Sequence, residues 1–352
     1  MDDWHDEFSP ALFIGREAEL AQLIQWVTTN AILSRRLITI AAPPGYGKSW
    51  LLGKLQKRLL ERHGRDLFIM FVAAADLTSI SKMTNWIQSV IKAAREGGLA
   101  VRESNPEDSL ATIIHHLLED LCEHSNPPLR PVLMVDGLDE LAPKTAEVLQ
   151  KVFLESFWDK PQLRMIISFR DEFSLTSHTL RLGEERMSLT AFTPPTGKEQ
   201  LRKRVTSEAP SILFQKDLKD LVALIPQYTW TNPGLNTCLY TKAKKRRVNG
   251  QTPLLTVADL NECWLGPIKA KSKELSVTLS ELESNLKIVS AEDTWTVETF
   301  SQICGYSLVV AHKHIQELIA LSLVTNEKQK YKIVDGIREL IRAEVALSNQ
   351  TK

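Results

Sequence analysis

Apolar and polar residues alternate along the first half of the chain in two rhythms. Short aliphatic runs, typical of strands buried on both faces, are separated by longer stretches in which apolar residues recur at helical spacing. Strands and helices that alternate in this way predict an α/β fold with a mostly parallel, covered sheet. The predicted strands are 36–41, 67–74, 131–136, 163–169 and 186–191, and the helices between them centre on 49–62, 82–95, 109–123 and 144–157.

The pattern changes at the cluster Thr193-Pro194-Pro195-Thr196-Gly197, which we expect to end the sheet. Only helical spacing follows, up to about residue 280. The last seventy residues then read as helix, turn, helix and a two-stranded ribbon before a final helix that we expect to begin at Asp335. This order is typical of a winged helix, with Ile315, Leu318 and Ile319 on the core face of its helix 307–321.

Composition narrows the class of protein. The chain of 352 residues has 43 basic and 43 acidic residues, so no overall charge favours nucleic acid or a membrane surface. No apolar run is long enough to span a bilayer, the amino end is acidic, and we expect a cytoplasmic protein. The four cysteines lie far apart without metal-ligand spacing, and we expect them to be reduced, buried thiols.

The clearest motif is a phosphate-binding P-loop between the first strand and the helix after it. The stretch Ala42-Pro43-Pro44-Gly45-Tyr46-Gly47-Lys48-Ser49 has the required spacing, with Ala42 at the first glycine position. Gly45 and Gly47 allow backbone N–H groups to turn toward a phosphate, and Lys48 supplies a positive charge for the β- and γ-phosphates. The Ser49 hydroxyl is a candidate Mg²⁺ ligand. The predicted nucleoside triphosphate site also contains Pro44, Tyr46 and Trp50.

A second motif follows about 90 residues later. The apolar strand Pro131–Val135 ends in Asp136, the arrangement of a Walker B aspartate that holds Mg²⁺. Asp139 and Glu140 follow at a short distance, and either one is a candidate for orienting the attacking water. Asp139 is slightly favoured, although the sequence gives little to choose between them. The strand 163–169 is followed by Arg170, a candidate sensor of the γ-phosphate.

These residues resemble, in order, the STAND class of P-loop ATPases, the AAA+-related group that includes NACHT and NB-ARC proteins. Ile14, Gly15 and Arg16 are similar to the entry motif of the family, which contacts the adenine. The segment Thr231-Asn232-Pro233-Gly234-Leu235 is similar to the lid motif, whose proline (here Pro233) packs on the adenine. The resemblance implies an ATPase domain over 13–193, after a lead over 1–12, a helical lid over 194–277 and a winged helix over 278–352.

The resemblance implies a molecular switch that hydrolyses ATP slowly. ADP or an empty site would hold the ATPase domain, the helical lid and the winged helix closed, and ATP would release the winged helix and permit homo-oligomerisation. Val334 stands where the family has a histidine that reads ADP, so closure would rest on domain packing. The effector and sensor of such a switch would be separate partner chains, or the chain is an isolated core.

The alternative is a DNA-acting ATPase of the initiator or transposition type, which shares the order of ATPase, lid and winged helix. The basic run Lys242–Arg247 favours it. The neutral charge balance over 285–352 favours the switch, because phosphate contacts dominate DNA affinity.

Overall fold

We describe a computed structural model of the chain. It describes residues 9, 12–29, 35–105, 107–125, 127–171, 173–208, 215–229, 231–252, 255–269, 277–321 and 323–350. The predicted acidic lead over 1–12 therefore lies almost entirely outside the described residues.

A five-stranded parallel sheet forms the centre of the first half. Its strands lie in the order β2-β3-β4-β1-β5, and every neighbouring pair is parallel. All five predicted strands are confirmed, with small shifts at their ends. Their bounds are β1 Leu37–Ala41, β2 Leu67–Ala73, β3 Arg130–Asp136, β4 Arg164–Phe169 and β5 Glu184–Ser188.

Helices connect these strands. Two predicted helices are interrupted: the α-helical hydrogen bonding of 109–123 ends at Glu119, and that of 144–157 ends at Val148, and wider turns follow both. A short helix near residue 180 was not predicted, because five residues carry too little periodicity. The bounds are α1 Glu17–Thr28, α2 Lys48–His63, α3 Ile80–Glu96, α4 Leu110–Glu119, α5 Pro143–Val148 and α6 His178–Leu182.

The chain divides into two compact units. The sheet unit comprises residues 16–42 and 48–189, and the helical unit comprises residues 1–15, 43–47 and 190–352. The P-loop sequence contributes to both units, since residues 43–47 cluster with the helical unit while Lys48 begins α2 of the sheet unit.

Four helices form what we call the lid segment, residues 194–269. The cluster at 193–197 follows the last strand of the sheet, as expected, and Pro194 already begins a helix. Proline is favoured in a first helical turn because its missing N–H is not needed there. The bounds are α7 Pro194–Glu208, α8 Gln215–Thr229, α9 Pro233–Val248 and α10 Val257–Lys269.

The C-terminal segment, residues 279–350, contains the elements expected after the lid. The last helix begins at Ile337, not at Asp335, whose carboxylate instead pairs with Lys332 at 2.8 Å. Ile315 and Leu318 are fully buried and Ile319 is packed against the same core, as the spacing predicted. The bounds are α11 Leu279–Val289, α12 Val297–Cys304, α13 Leu308–Ala320, β6 Val324–Glu327, β7 Lys330–Ile333 and α14 Ile337–Gln350, with β6 and β7 antiparallel.

One apolar core runs through the lid segment and the C-terminal segment, with Trp264 and Trp295 among its largest buried side chains. The expectation that all cysteines are reduced is wrong for two of them. α9 and α10 pack together and bring Cys238 and Cys263, which are 25 residues apart, into a disulfide with their Cα atoms 6.0 Å apart. Cys122 and Cys304 are free thiols.

Candidate functional site

Lys48 is the first residue of α2, directly after the turn that follows β1. Its ammonium Nζ donates a hydrogen bond to the carbonyl of Ala42 at 2.7 Å. Burial lowers the pKa of Lys48, while the nearby Asp139 carboxylate acts in the opposite direction. The structure therefore brings the P-loop lysine into the electrostatic neighbourhood of the acidic residues after β3.

Asp136 ends β3, and its carboxylate is held by the neighbouring strand. Ser168 on β4 donates a short hydrogen bond from Oγ to Asp136 Oδ1, and the same Oγ accepts one from the Gly137 N–H at 2.9 Å. Ser168 is fully buried. The parallel register, which pairs Val135 with Ile167, places these two residues side by side.

Asp139 and Arg170 form an ion pair. The guanidinium Nε of Arg170 lies 2.8 Å from Asp139 Oδ2, and the Arg170 backbone N–H donates to Asp139 Oδ1 at 3.1 Å. Gly137 adopts a left-handed conformation, with φ of 74°, and this turns the chain so that Asp139 faces β4. Arg170 thus contacts both oxygens of Asp139, Oδ1 through a hydrogen bond and Oδ2 through the ion pair alone.

Glu140 lies in the same turn and is exposed, in contrast to Asp139. Its carboxyl group folds over Gly137, where an added Cβ would lie 3.0 Å from Glu140 Cδ. Glu140 and Asp139, which the sequence hardly distinguishes, therefore differ in their exposure to solvent.

Asp171, next to Arg170, is a further acid in this group. Burial raises its pKa, and the positive charges of Lys48 and Arg186 oppose that rise. The Arg186 side chain donates to the Asp171 backbone carbonyl at 2.6 Å.

The P-loop residues of the helical unit contact the start of α9. The Gly234 N–H donates to the Gly45 carbonyl at 2.7 Å, and Asn232 Nδ2 donates to the Pro44 carbonyl at 3.2 Å. Gly45 and Gly47 have φ of 79° and 86°, the left-handed conformation that the motif requires. Tyr46 is buried in this unit.

The entry motif divides between the two units after Gly15. Gly15 has φ of 75°, and a Cβ there would lie 2.4 Å from Thr196 Cγ2, so the position requires glycine. In the sheet unit, Arg16 is buried and pairs with Glu19 at 3.0 Å. Ile14 is half-buried.

The donor set fits a P-loop Mg²⁺ site. In such sites a hydroxyl and a carboxylate supply two ligands, and phosphate oxygens and waters supply the rest. Ser49 is exposed on the first turn of α2, and Asp136 is held in a fixed orientation by Ser168. Among the described residues no group of three His, Cys, Asp or Glu side chains forms a dedicated metal site.

Several residues of this region were not predicted from the sequence as part of the site. Ser168 had a visible signal, because it is a polar residue at the end of a buried strand predicted to lie near Asp136. Asn232 also had one: an asparagine before Pro-Gly is a typical helix N-cap. Asp171 had none beyond its place next to Arg170. Trp50 is half-buried on α2, and Pro233 is buried at the first turn of α9.

Comparison with known proteins agrees with this geometry. A family model described as an AAA domain matches residues 32–175. Among curated protein sequences, none matches this chain. Within the described part of the chain, no helix is long and apolar enough to cross a membrane.

Solved structures share the fold over nearly the whole chain. A Walker-type ATPase of Pyrococcus abyssi superposes with a TM-score of 0.63 at 16% identity, covering 94% of this chain and 96% of the other. The Orc1 protein of Aeropyrum pernix in complex with DNA gives 0.53 at 14% identity, covering 99% and 97%. Cdc6p of Pyrobaculum aerophilum gives 0.51 at 15% identity, covering 98% and 97%.

The P-loop with its Lys48, the strand ending in Asp136 and the parallel sheet agree with both comparisons. Residues 32–175 therefore match an AAA domain, which supports ATPase activity, and the chain has the fold of a P-loop NTPase.

Proposed function

We propose that the chain is an ATP-dependent molecular switch of the STAND type, in which the C-terminal segment is the part released by ATP. One observation carries this proposal. Gly336, in the turn before α14, lies against Asn232, and a Cβ at Gly336 would be 3.0 Å from Asn232 Cβ and 2.6 Å from the Thr229 carbonyl oxygen. Asn232 in turn bonds to Pro44 of the P-loop. Asn232 thus contacts both the turn before α14 in the C-terminal segment and the proposed phosphate-binding loop.

A buried polar cluster supports the same view, since it joins the C-terminal segment to the lid segment. Glu344 on α14 accepts hydrogen bonds from Asn261 at 3.1 Å and from the Trp264 indole at 3.2 Å, and it pairs with Lys287 at 2.6 Å. Glu344 is only 3% exposed. Removing one member of such a cluster leaves the others buried and uncompensated, so it favours separation of the two segments.

In the proposed site, Lys48 binds the β- and γ-phosphates, and Ser49 and Asp136 hold Mg²⁺, which neutralises phosphate charge when bound. We assign Glu140 rather than Asp139 to orient the attacking water, because Glu140 is exposed whereas Asp139 is ion-paired with Arg170. Arg170 binds the γ-phosphate when ATP is present. Because Arg170 must leave its ion pair with Asp139 to do so, ATP turnover is slow, as expected of a switch. Ile14, Gly15, Arg16 and Pro233 contact the adenine by analogy with the resembled family.

Hydrogen exchange tests the switch. With ADP we expect slow exchange in α10 and at the start of α14, and with a non-hydrolysable ATP analogue faster exchange in both. The matched variant Glu344→Gln keeps the shape of the side chain but loses its charge toward Lys287, and we expect fast exchange with either nucleotide. Identical exchange of the wild-type protein with ADP and the analogue would contradict the proposal.

DNA binding is the second candidate, and the full-length likeness to an Orc1 protein in complex with DNA favours it. Two features oppose it. In the basic run, Lys242 pairs with Glu262 at 2.7 Å and Arg246 with Asp259 at 3.0 Å, so these charges serve the lid segment itself. The exposed start of α13 is apolar, with Val309 81% exposed. A salt titration of duplex binding decides, because phosphate contacts give a steep slope.

The domain limits 13–193, 194–277 and 278–352 belong to this proposal, with residues 270–276 outside the described part of the chain. A nucleotide-dependent homo-oligomer, and an effector or sensor supplied by a separate chain, are the proposed partners. A cytoplasmic location stays a prediction.

A further inference from the structure

We propose that Asn232 is a positioning residue of the P-loop: together with Gly234 it fixes the direction of two backbone N–H groups that receive a phosphate. The inference deepens the proposed nucleotide site, and it rests on nucleotide binding at the P-loop and not on the switch.

Asn232 uses both ends of its amide. Its Oδ1 accepts hydrogen bonds from the N–H groups of Gly234 at 3.0 Å and Leu235 at 3.1 Å, which caps α9. Its Nδ2 donates to the Pro44 carbonyl at 3.2 Å. The side chain is 1% exposed, so no bulk water competes for these bonds. A cap alone needs only the oxygen, and serine or aspartate supplies that equally well.

The second bond to the loop comes from the backbone. The Gly234 N–H donates to the Gly45 carbonyl at 2.7 Å, and a Cβ at Gly234 would lie 2.6 Å from Gly45 Cα. Such a close approach of two backbones requires glycine at 234.

Because peptide groups are planar, these two hydrogen bonds also fix the directions of two backbone N–H groups. In a trans peptide the carbonyl and the following N–H point in opposite directions. Fixing the Pro44 carbonyl toward α9 therefore turns the Gly45 N–H to the opposite side, and fixing the Gly45 carbonyl does the same for the Tyr46 N–H. Successive N–H groups directed to one side of a loop form the concave site that binds a phosphate.

Backbone strain occurs next to Asn232. Thr231 is a non-glycine residue with φ of 60°, a conformation that persists only where the surroundings enforce it. Phe192 enforces it here: its carbonyl accepts a short hydrogen bond from the Thr231 hydroxyl, and its N–H donates to the Thr231 carbonyl at 3.3 Å. The strain sets the position from which Asn232 reaches Pro44.

The test compares the affinity of purified full-length variants for fluorescent ADP and ATP analogues. Asn232→Ser and Asn232→Asp both keep an oxygen for the cap and lose the donor to Pro44. We expect each to bind nucleotide about fivefold or more weakly than the wild type, the effect of one hydrogen bond. Wild-type affinity in both variants would overturn the inference, because capping alone would then explain the residue.

Gly234→Ala tests the second bond independently and covers the case in which the Asn232 variants do not fold. Alanine is the better helix former, so a loss of affinity would come from the contact with Gly45 and not from the helix. The matched control is Gly250→Ala just beyond the other end of α9. Gly250 has φ of 74°, so alanine costs stability there, but an added Cβ meets nothing within 4 Å. We expect weaker nucleotide binding in Gly234→Ala alone, and equal affinity in both variants contradicts the inference.

The outcomes separate this inference from the switch. If the Asn232 and Gly234 variants bind as the wild type does, the inference fails and the switch is unaffected. If the wild-type protein binds nucleotide without a change in hydrogen exchange at α14, the switch fails and the positioning role stands.

Discussion

Asp139 contacts Arg170 through both carboxylate oxygens. The guanidinium Nε of Arg170 lies 2.8 Å from Oδ2 as an ion pair, and the Arg170 backbone N–H donates a hydrogen bond to Oδ1 at 3.1 Å. The pair lies where β3 and β4 end side by side. A carboxylate bound in this way is poorly placed to take a proton from water, and the ion pair holds Arg170 where a phosphate charge would compete for it.

Replacing Glu140 and Asp139 one at a time tests which of them orients the attacking water. We expect Glu140→Gln to bind ATP normally but to lower turnover roughly 100-fold, the usual effect of losing a general base. Asp139→Asn should weaken the hold on Arg170 and change turnover less. Single-turnover hydrolysis measures both. Normal turnover in Glu140→Gln, with a large loss in Asp139→Asn, would reverse the assignment.

Ser168→Ala should raise the Mg²⁺ concentration needed for half-maximal activity, because Asp136 loses the hydroxyl that orients its carboxylate. The matched control is Ser177→Ala, which removes another buried serine hydroxyl, at the start of α6. A Mg²⁺ titration of ATPase activity should separate the two variants. The role of Ser168 would be excluded by identical Mg²⁺ dependence in both.

Asp171 predicts a specific pH dependence of stability. Burial raises its pKa in the folded protein above 3.8, so the folded state holds this proton more tightly than the unfolded state. By linkage, the protonated Asp171 carboxyl group contributes to the stability of the folded state at low pH. This contribution falls as pH rises from about 3.8 through the folded pKa, and it is lost at neutral pH. Asp171→Asn should therefore raise the melting temperature above that of the wild type, and this increase should be larger at pH 7 than at pH 4. The exposed Asp76→Asn is the control, and equal pH profiles of the two would contradict the prediction.

Reduction of the disulfide should destabilise the helical unit. Closing a loop over a separation of 25 residues stabilises a fold by about 3 kcal/mol, mainly by restricting the unfolded chain. We expect a reductant to lower the melting temperature of the wild type and of Cys122→Ser by the same amount. Cys238→Ser should already melt at the lower temperature and ignore the reductant. A wild-type melting temperature that does not respond to reductant would argue against the bridge.

The sheet, and the positions of the P-loop and of Asp136 at the ends of its strands, could be predicted from the sequence because each depends on a short run of residues. The strand before Lys48 and the strand ending in Asp136 are local patterns, and parallel pairing brings their carboxyl ends to one edge. The ion pair of Asp139 with Arg170 could not be predicted, since it depends on the left-handed turn at Gly137.

Contacts between distant segments were also beyond the sequence. Asn232 and Pro44 are 188 residues apart, and their hydrogen bond depends on how the lid segment packs. The Cys238–Cys263 bridge likewise depends on the packing of α9 against α10. Deleting residues 285–352 would not be a suitable test of the proposed switch, because the apolar core continues into the lid segment and would be exposed. Glu344→Gln is the better variant.

The measurement that tests the central claim most directly is the molar mass in solution by light scattering with ADP, with a non-hydrolysable ATP analogue and without nucleotide. We predict a monomer with ADP or no nucleotide and a larger assembly with the analogue. Lys48→Ala should stay monomeric in all three conditions, because the loss of its ammonium removes nucleotide binding while the fold remains intact. A wild-type mass that is the same in all three conditions, at concentrations that saturate binding, would contradict the account.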